Sequence, residues 1–459
     1  MKNGTMTYQT VNPATGELLR THETHTDAQA EQALERARRA FSAWRSETPA
    51  RRADLLSRMA DTLEKRAPDL ARTAAREMGK PLAQGTAEVK KCAAACRYFA
   101  ENAETLLRPR VLATDATESL VRHDPMGPIL AIMPWNYPFW QFYRFAAPAL
   151  AAGNTVLLKH APNTPECALA IEQLVLESGF PEGVVQNLFL DNAQAARLIA
   201  DDRLCGVTLT GSTRAGREVG RVAGRNLKPL VLELGGSDPF IIFEDADLEK
   251  TVRAAVEARC QNSGQSCIAA KRFLVHRSLY GAFSEAFVRE MSARPTGDPQ
   301  EPRVAMGPLA RQDLRDKLAQ QVRASLAAGA KALCGGQVPE GKGFFYPATV
   351  LVDVPEGSPA AHEELFGPVA PLFAFDTEEE AVEKANDTRY GLGTSLWTSD
   401  RERIQRLVPQ LETGMIFVNG LVRSDPRLPF GGIKESGFGR ELGDEGILEF
   451  VNTKSVWIR

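Results

Sequence analysis

The chain contains 459 residues, of which 43% are hydrophobic and 25% are charged, and its formal net charge is −3. This balance excludes the strongly charged surfaces that bind nucleic acids or anionic membranes. The length predicts two or three domains. The most apolar long stretch, "FYRFAAPALAAGNTVLL", is interrupted by Arg144, Pro148 and Asn154, so no membrane-spanning helix is expected.

The seven cysteines are too scattered for a disulfide framework and indicate a reducing compartment. The first residues, "MKNGTMTYQT", contain no apolar signal core, so a cytoplasmic location is expected. Cys92 and Cys96 are four residues apart on a predicted helix. Because no further Cys or His pair lies near them in the sequence, no metal site is expected.

Apolar residues at helical spacing dominate the first hundred residues. After the polar residues Thr26 and Asp27, this pattern predicts a helix over 27–44. Two further helices are predicted over about 50–76 and 84–106. The alternating segment "ESLVRHDP" (118–125) predicts an exposed strand.

From residue 127 onward, short apolar runs alternate with helical segments, which is typical of a doubly wound parallel sheet. "PLVLELGG" and "PFIIF" are predicted to open a second series, which continues through "KRFLVH", "TVLVDV" and "PLFAF". The last segment, "EGILEFVNTKSVWIR", ends in a β-prone stretch with no obvious partner in the chain. The strands of the first series are predicted in "GPILAIMP" (127–134), "NTVLLK" (154–159), "GVVQNLF" (183–189) and "GVTLT" (206–210).

Two residues have the surroundings of catalytic groups. Cys267 ends the polar, glycine-containing segment "QNSGQSC", whereas a structural cysteine usually lies among larger apolar residues. A reactive thiol needs such access. Glu233 ends an apolar strand just before Gly235 and Gly236, where burial would raise its pKa toward that of a general base. The alternatives are an inert buried thiol and a solvated carboxylate.

Further candidates follow the predicted strands of the first series. Asn136, in "MPWNYPFW", lies at the sheet edge where doubly wound folds bind ligands, and its amide could donate to an oxyanion or simply occupy a turn. "LTGSTRAG" (209–216) leads into a helix whose N-terminal amides suit phosphate, although it is neither a dinucleotide fingerprint nor a P-loop. Lys159 could bind a ribose or phosphate oxygen, or be solvated.

The order and spacing of these motifs resemble the aldehyde dehydrogenase superfamily. The match extends from "VNPATGELL" to "SVWIR" and includes "PWNYP", "LLK", "TGSTRAG", "LELGG", "GQSC", "EELFGPV" and "PFGGIKESGFGRE". Within the superfamily the chain is most similar to the shorter bacterial succinate-semialdehyde dehydrogenases, notably in "LELGGSDPF" and "GQSCIAAKRF". The resemblance implies NAD(P)+-dependent oxidation of an aldehyde to a carboxylic acid, in the first place succinate semialdehyde to succinate.

The resemblance also implies a role for each matching residue. Cys267 would attack the aldehyde carbon, the Asn136 amide and the Cys267 N–H would hold the thiohemiacetal oxyanion, and Glu233 would activate the water that hydrolyses the thioester. Implied cofactor contacts are Lys159 at the adenosine ribose, Ser212 at the pyrophosphate, Glu364 at the nicotinamide ribose and Phe366 beside the nicotinamide, together with Trp135, Gly211 and Leu234 of the same motifs.

The fold implied by the resemblance is α/β. It combines a Rossmann-type doubly wound dinucleotide-binding domain, an α/β catalytic domain and a small β extension for oligomerisation. The chain would divide into 1–109 with 127–233, 234–444, and 110–126 with 445–459, respectively. A homodimer or homotetramer is therefore expected.

The expected substrate carries a carboxylate, which requires a cation. Arg144 matches an arginine position that related enzymes use, and Arg423 and Arg427 are further candidates. Longer succinate-semialdehyde dehydrogenases have an arginine six residues before the catalytic cysteine, where this chain has Gln261. Another short aliphatic aldehyde or semialdehyde is therefore an alternative substrate.

The cofactor expectation depends on Pro162. NAD-preferring members of the superfamily often have a glutamate there, which binds the ribose hydroxyls and repels a 2′-phosphate. Since proline lacks that repulsion, both NAD+ and NADP+ are expected, with a lean toward NADP+. Lys159, and His160 if protonated, could pair with the phosphate.

Three other functions are weighed against this one. Lys159, Glu233 and Cys267 could form a nitrilase-type hydrolase site, but the nucleotide motifs would then have no purpose. A CoA-acylating enzyme of the superfamily would usually lack the base at Glu233. A non-catalytic descendant would not need Cys267, Glu233 and Asn136 together.

Overall fold

The computed structural model describes residues 7–459, which form two large sheets, three small ones and the helices that cover them. The helices begin where the sequence provides caps. The Thr26 hydroxyl accepts a hydrogen bond from Gln29 N, and Gln29 Oε1 accepts one from Thr26 N. The α-helices are Asp27–Trp44, Pro49–Met78, Leu82–Leu106, Trp140–Ala152, Pro165–Glu177, Asn192–Ala200, Thr213–Arg225, Leu248–Cys260, Arg277–Ser292, Gln312–Ala327, Pro359–His362, Glu378–Asn386, Arg401–Leu407 and Gly443–Leu448, and the 3₁₀ helices are Gln261–Gly264 and Val408–Gln410.

The first large sheet has the doubly wound order that was predicted. Five of its six strands are parallel, and Pro128–Met133 lies between Thr155–His160 and Gly206–Thr210. The strand order therefore reverses beside Pro128–Met133, which is where such sheets bind ligands. The strands across the sheet are Gly437–Phe438, Leu230–Glu233, Gly206–Thr210, Pro128–Met133, Thr155–His160 and Val185–Asn187.

Leu230–Glu233 does not open the second series, so that part of the sequence interpretation is wrong. The strand pairs in parallel with Gly206–Thr210, with Glu233 opposite Thr210, and so extends the first sheet. "PFIIF" does begin the second sheet as expected. That sheet contains Lys331–Cys334, Thr349–Val352, Val369–Phe375, Ala270–His276, Asp238–Ile242, Gly393–Trp397 and Met415–Val418, in this order.

The C-terminal strand has a partner within the chain, contrary to expectation. Val451–Ile458 pairs antiparallel with Glu118–Pro125 along its whole length, and Arg110–Val111 completes a three-stranded sheet. This pairing joins segments far apart in sequence, which a local pattern does not reveal. Two antiparallel pairs of short strands complete the sheets: Tyr8–Asn12 with Glu17–His22, and Tyr390–Gly391 with Ile433–Lys434.

The predicted domain boundaries stay predictions. Residues 1–6 lie outside the described residues, and the short strand Gly437–Phe438 returns to the first sheet from the segment assigned to the second domain. Across residues 7–459, none of the helices combines the length and the apolar character needed to cross a membrane.

Candidate active site

Three neighbouring strands of the first sheet end at one edge, beside a cavity of about 200 Å³. Pro128–Met133, Gly206–Thr210 and Leu230–Glu233 carry the predicted site residues to this edge because parallel strands share their carboxyl end. Helix Gln312–Ala327 contributes Lys317 and Gln321 to the opposite wall. The predicted residues that line the cavity are Trp135, Asn136, Gly211, Ser212, Leu234, Cys267, Glu364 and Phe366.

The loop that ends at Cys267 has an unusual backbone. Asn262 and Ser263 both adopt the left-handed conformation, with φ of 54° and 55°, and Gly264 follows with φ of 75°. Non-glycine residues in this region are strained and persist only where the surroundings impose the conformation. A Cβ added at Gly264 would lie 2.3 Å from the carbonyl carbon of Gly367, so the loop packs directly on the backbone of the "EELFGPV" segment.

Cys267 is partly exposed at the cavity wall. Burial raises the pKa of its thiol to about 11, and the charges of Arg144 and Lys271 oppose this rise. Glu233 and Asp238 raise the pKa further. The thiolate is therefore a minor species near neutral pH, and positive charge entering the cavity would increase its fraction.

Asn136 lies beside Cys267 with its side chain 4% exposed. Its Nδ2 donates to the Gln265 carbonyl at 3.1 Å, and its own carbonyl accepts from Asn262 Nδ2 at 2.8 Å. An amide has two N–H bonds, so one is left to donate into the cavity. The structure thus ties the Asn136 amide to the loop that carries the thiol.

Glu233 is buried behind the cavity, and neither carboxylate oxygen has a hydrogen-bond partner among residues 7–459. Burial raises the pKa of this carboxyl group well above its usual range, and the charge of Glu441 adds to the rise, while Arg144 lowers the pKa. A desolvated, unpaired carboxyl group of this kind suits a general base.

Arg144 and Glu441 form a buried ion pair whose charges act on the site. Arg144 Nε donates to Glu441 Oε2, and Arg144 Nη2 donates to Thr210 Oγ1 at 3.3 Å. The charge of Arg144 acts on both Glu233 and Cys267. Some of the Arg144 N–H groups that were predicted to bind a substrate carboxylate therefore bind Glu441 instead.

The predicted nicotinamide side of the cavity is aromatic and acidic. The rings of Trp135 and Phe366 meet edge to face, with centroids 5.7 Å apart. Glu364 Oε1 accepts a hydrogen bond from Gly236 N at 3.1 Å. An added Cβ at Gly236 would lie 2.7 Å from the Cys267 carbonyl oxygen, so glycine permits this close approach.

Lys159 lines a second cleft, between helices Asn192–Ala200 and Thr213–Arg225. Burial lowers the pKa of its amine to about 8. The start of Thr213–Arg225 links cleft and cavity, because Ser212 lines the cavity and Arg214 lines the cleft. The Ser212 hydroxyl caps this helix by accepting from Ala215 N at 3.3 Å. Because Lys159 and Cys267 line different spaces, the nitrilase-type triad is not favoured.

His160 does not face the cleft, so the suggestion that it pairs with a phosphate is wrong. Its Nε2 bonds the Pro138 carbonyl at 2.9 Å, and its Nδ1 accepts from Ala161 N at 2.8 Å. The ring is fully buried, which lowers its pKa to about 4. Pro162 follows in a turn, where its carbonyl accepts from Gln9 N at 2.8 Å.

The remaining predicted arginines lie on the loop before "PFGGIKESG". Arg427 is exposed and paired with Asp425 at 2.6 Å, and Arg423 is exposed. Sequence reasoning missed Lys91, whose Nζ donates to Ser424 Oγ at 2.6 Å. Burial, together with the positive charges of Arg144 and Arg423, lowers the pKa of Lys91 to about 8. Lys91, Arg144 and Arg423 therefore form a positively charged group.

Comparison with known proteins gives close matches over nearly the full length. A probable succinate-semialdehyde dehydrogenase (NADP(+)) of Synechocystis sp. is 49% identical over 453 residues, which are 99% of this chain and 100% of the relative. Succinate-semialdehyde dehydrogenase (NADP(+)) 1 of Mycobacterium tuberculosis is 47% identical over 456 residues, with the same coverage. The crystal structure of succinic semialdehyde dehydrogenase from Streptococcus pyogenes, in complex with NADP+, aligns with a TM-score of 0.96 at 37% identity and covers 98% of this chain and 99% of that one.

The family model of the "Aldehyde dehydrogenase family" matches residues 1–456. Because this match spans nearly the whole chain and agrees with the fold and the cavity at its sheet edge, the chain belongs to the aldehyde dehydrogenase family.

Proposed function

We propose that the protein oxidises succinate semialdehyde to succinate with NAD(P)+, preferring NADP+. One observation carries the proposal: Cys267 and Asn136 line a single cavity with the residues predicted to hold a nicotinamide cofactor, and the unpaired carboxyl group of Glu233 lies behind it. The Synechocystis and Mycobacterium relatives, which bear the names of NADP(+) succinate-semialdehyde dehydrogenases, support the same substrate and cofactor.

In the proposed mechanism the Cys267 thiolate attacks the aldehyde carbon. The Asn136 amide and the Cys267 N–H stabilise the oxyanion of the thiohemiacetal. NAD(P)+, if held by the residues predicted for it, would supply a hydride acceptor, and loss of hydride from this carbon leaves a thioester on Cys267. Glu233 then takes a proton from a water molecule as the water attacks the thioester, and release of the acid regenerates the thiol.

The cleft at Lys159 supports the lean toward NADP+. Three basic side chains, Lys159, Arg214 and Arg221, line it against one acidic side chain, Glu218. Glu218 is itself paired with Arg221 at 3.4 Å. The surplus of positive charge suits the 2′-phosphate of NADP+.

Pro162→Glu should lower kcat/KM for NADP+ by about tenfold or more, which is about 1.4 kcal/mol, and spare NAD+. The physical reason is repulsion between a carboxylate and the 2′-phosphate. Steady-state kinetics with both cofactors measures this, and Pro162→Gln is the control because it has similar bulk without charge. If the wild type cannot use NADP+ at all, the explanation based on Pro162 is wrong.

The positively charged group of Lys91, Arg144 and Arg423 supports a substrate with a carboxylate. Glu441 compensates the charge of Arg144, and Glu88 acts on Lys91, but the hydrogen-bond partner of Lys91 is the neutral Ser424, so a further anion at this group would be favourable. A succinate semialdehyde whose aldehyde lies at Cys267 carries such an anion at its other end.

The test of the proposed substrate is an aldehyde panel with NADP+. We expect kcat/KM for succinate semialdehyde to exceed that for butanal, a neutral aldehyde of the same length, by at least about tenfold, since one charge-assisted contact supplies about that factor. Equal values would contradict the substrate assignment, although oxidation of both aldehydes would still support aldehyde dehydrogenase activity.

We propose a homodimer or homotetramer located in the cytoplasm. The terminal three-stranded sheet supports an oligomer because it exposes large apolar residues, with Val111 72%, Trp457 52% and Ile458 47% exposed. Light scattering of the purified protein gives the mass, and a monomer would contradict this proposal.

A further inference from the structure

A buried lysine lies directly behind residues 261–267, which we call the nucleophile loop. Lys271, near the start of strand Ala270–His276, is 1% exposed. Its Nζ donates to the carbonyl oxygens of Ser266 at 2.9 Å, Cys267 at 2.7 Å and Ala269 at 3.4 Å. Because burial of an ammonium group is unfavourable unless its donors are satisfied, these carbonyls fix the position of the charge.

Two carboxylates compensate this charge. Glu364 Oε1 lies 3.5 Å from Lys271 Nζ, and the buried Asp238 also acts on the ammonium group. The positive charge of Arg259 acts in the opposite direction and lowers the pKa of Lys271. Lys271 is therefore part of an enclosed charge group that adjoins both the nucleophile and the residue predicted to hold the nicotinamide ribose.

The contact with Ser266 has a specific electronic consequence. The Ser266 carbonyl and the Cys267 N–H belong to one planar peptide group. A cationic donor on the oxygen draws electron density from the nitrogen through amide resonance, and successive hydrogen bonds strengthen one another. Among residues 7–459 no backbone carbonyl accepts the Cys267 N–H, which leaves it available to an oxyanion.

We propose that Lys271 is a positioning residue that fixes and polarises the Ser266–Cys267 peptide, so that the Cys267 N–H binds the oxyanion more strongly. The inference rests on the proposed function, because it requires Cys267 to form a tetrahedral oxyanion. Lys271 itself does not contact the substrate. It acts through the peptide group that presents the donor.

Two reactions of the same thiolate separate this role from a merely structural one. Attack on p-nitrophenyl acetate forms a tetrahedral oxyanion, after which p-nitrophenolate leaves and an acetyl thioester remains. Attack on iodoacetamide forms a bond from sulfur to a saturated carbon and expels iodide, without an oxyanion. The ratio of the two rates cancels both the thiolate fraction and the fraction of folded protein.

We expect the ratio of acylation to alkylation to fall about tenfold in Lys271→Met, since loss of a whole oxyanion donor has a larger effect of about 10²-fold or more. The acylation and alkylation rates are each corrected by subtracting the rate of the Cys267→Ala variant. Mass spectrometry confirms that the acetyl or carbamidomethyl group is on Cys267. Aldehyde oxidation should fall in parallel with the acylation rate.

Arg272→Met is the matched control. Arg272 is also buried, but its guanidinium donates to the carbonyls of Ser237, Lys384 and Ala385, outside the nucleophile loop. Its ratio should equal that of the wild type. Lys271→Met leaves the buried Asp238 carboxylate without the charge of Lys271 and could therefore fold poorly. In that case the double variant Asp238→Asn/Lys271→Met removes both charges, and it should show the same low ratio.

An unchanged ratio in the Lys271 variants would overturn the inference and leave the proposed function standing. A lowered ratio in Arg272→Met as well would also overturn it, because loss of any buried cation would then have the same effect. If neither reaction of the wild type depends on Cys267, the proposed function fails and this inference fails with it.

Discussion

Cys267→Ala should abolish aldehyde oxidation, with kcat lowered by at least about 10³-fold, while cofactor binding and the fold are retained. Among the described residues, Cys267 is the cysteine that lines the cavity. Asn136 lines the same cavity, and the charge of Glu233 acts on the Cys267 thiol. Removing the sulfur leaves no atom to form the thiohemiacetal. The absorbance of the reduced cofactor gives the rate of aldehyde oxidation. Calorimetry of cofactor binding confirms that the variant is folded.

Cys260→Ala is the matched control because Cys260 is the nearest thiol in sequence. Its Sγ lies 3.3 Å from Met291 Sδ in the core, and burial raises its pKa to about 12, so it has no access to an aldehyde. This variant should keep wild-type turnover. An active Cys267→Ala together with an inactive Cys260→Ala would transfer the nucleophile role to Cys260.

Glu233→Gln should separate the two halves of the reaction. We expect a rapid burst of reduced cofactor at close to the wild-type rate, followed by steady-state turnover slowed about 10²-fold or more. Attack by Cys267 does not need the carboxylate, whose negative charge raises the pKa of the thiol. Hydrolysis of the thioester does need a base. Stopped-flow absorbance records both phases.

The pH dependence of turnover provides a second test of the role of Glu233. Because burial raises its pKa, the carboxylate form grows as pH rises, and wild-type turnover limited by hydrolysis should increase with pH. Glu233→Gln should lose this dependence. Hydroxylamine, which attacks a thioester without a base, should restore its turnover. Normal turnover in Glu233→Gln would remove Glu233 from the mechanism.

Local patterns in the sequence predicted the elements and the main site residues, because apolar periodicity and strand ends depend on near neighbours. The predicted helix over 27–44 is confirmed as Asp27–Trp44, and the strand ends bring Asn136, Gly211 and Leu234 to one edge. The failures concern contacts between distant segments. The Arg144–Glu441 pair spans 297 residues, and nothing near Lys271 in the sequence shows that its side chain turns inward.

The close packing of Gly264 on Gly367 limits how this protein can be recombined with its relatives. The nucleophile loop and the "EELFGPV" segment touch through their backbones at this point, so a side chain at Gly264 would displace the "EELFGPV" segment. A chimera with one crossover between residues 267 and 364 would take these surfaces from different parents. Libraries of hybrid enzymes should therefore yield active members mainly when both segments are inherited together.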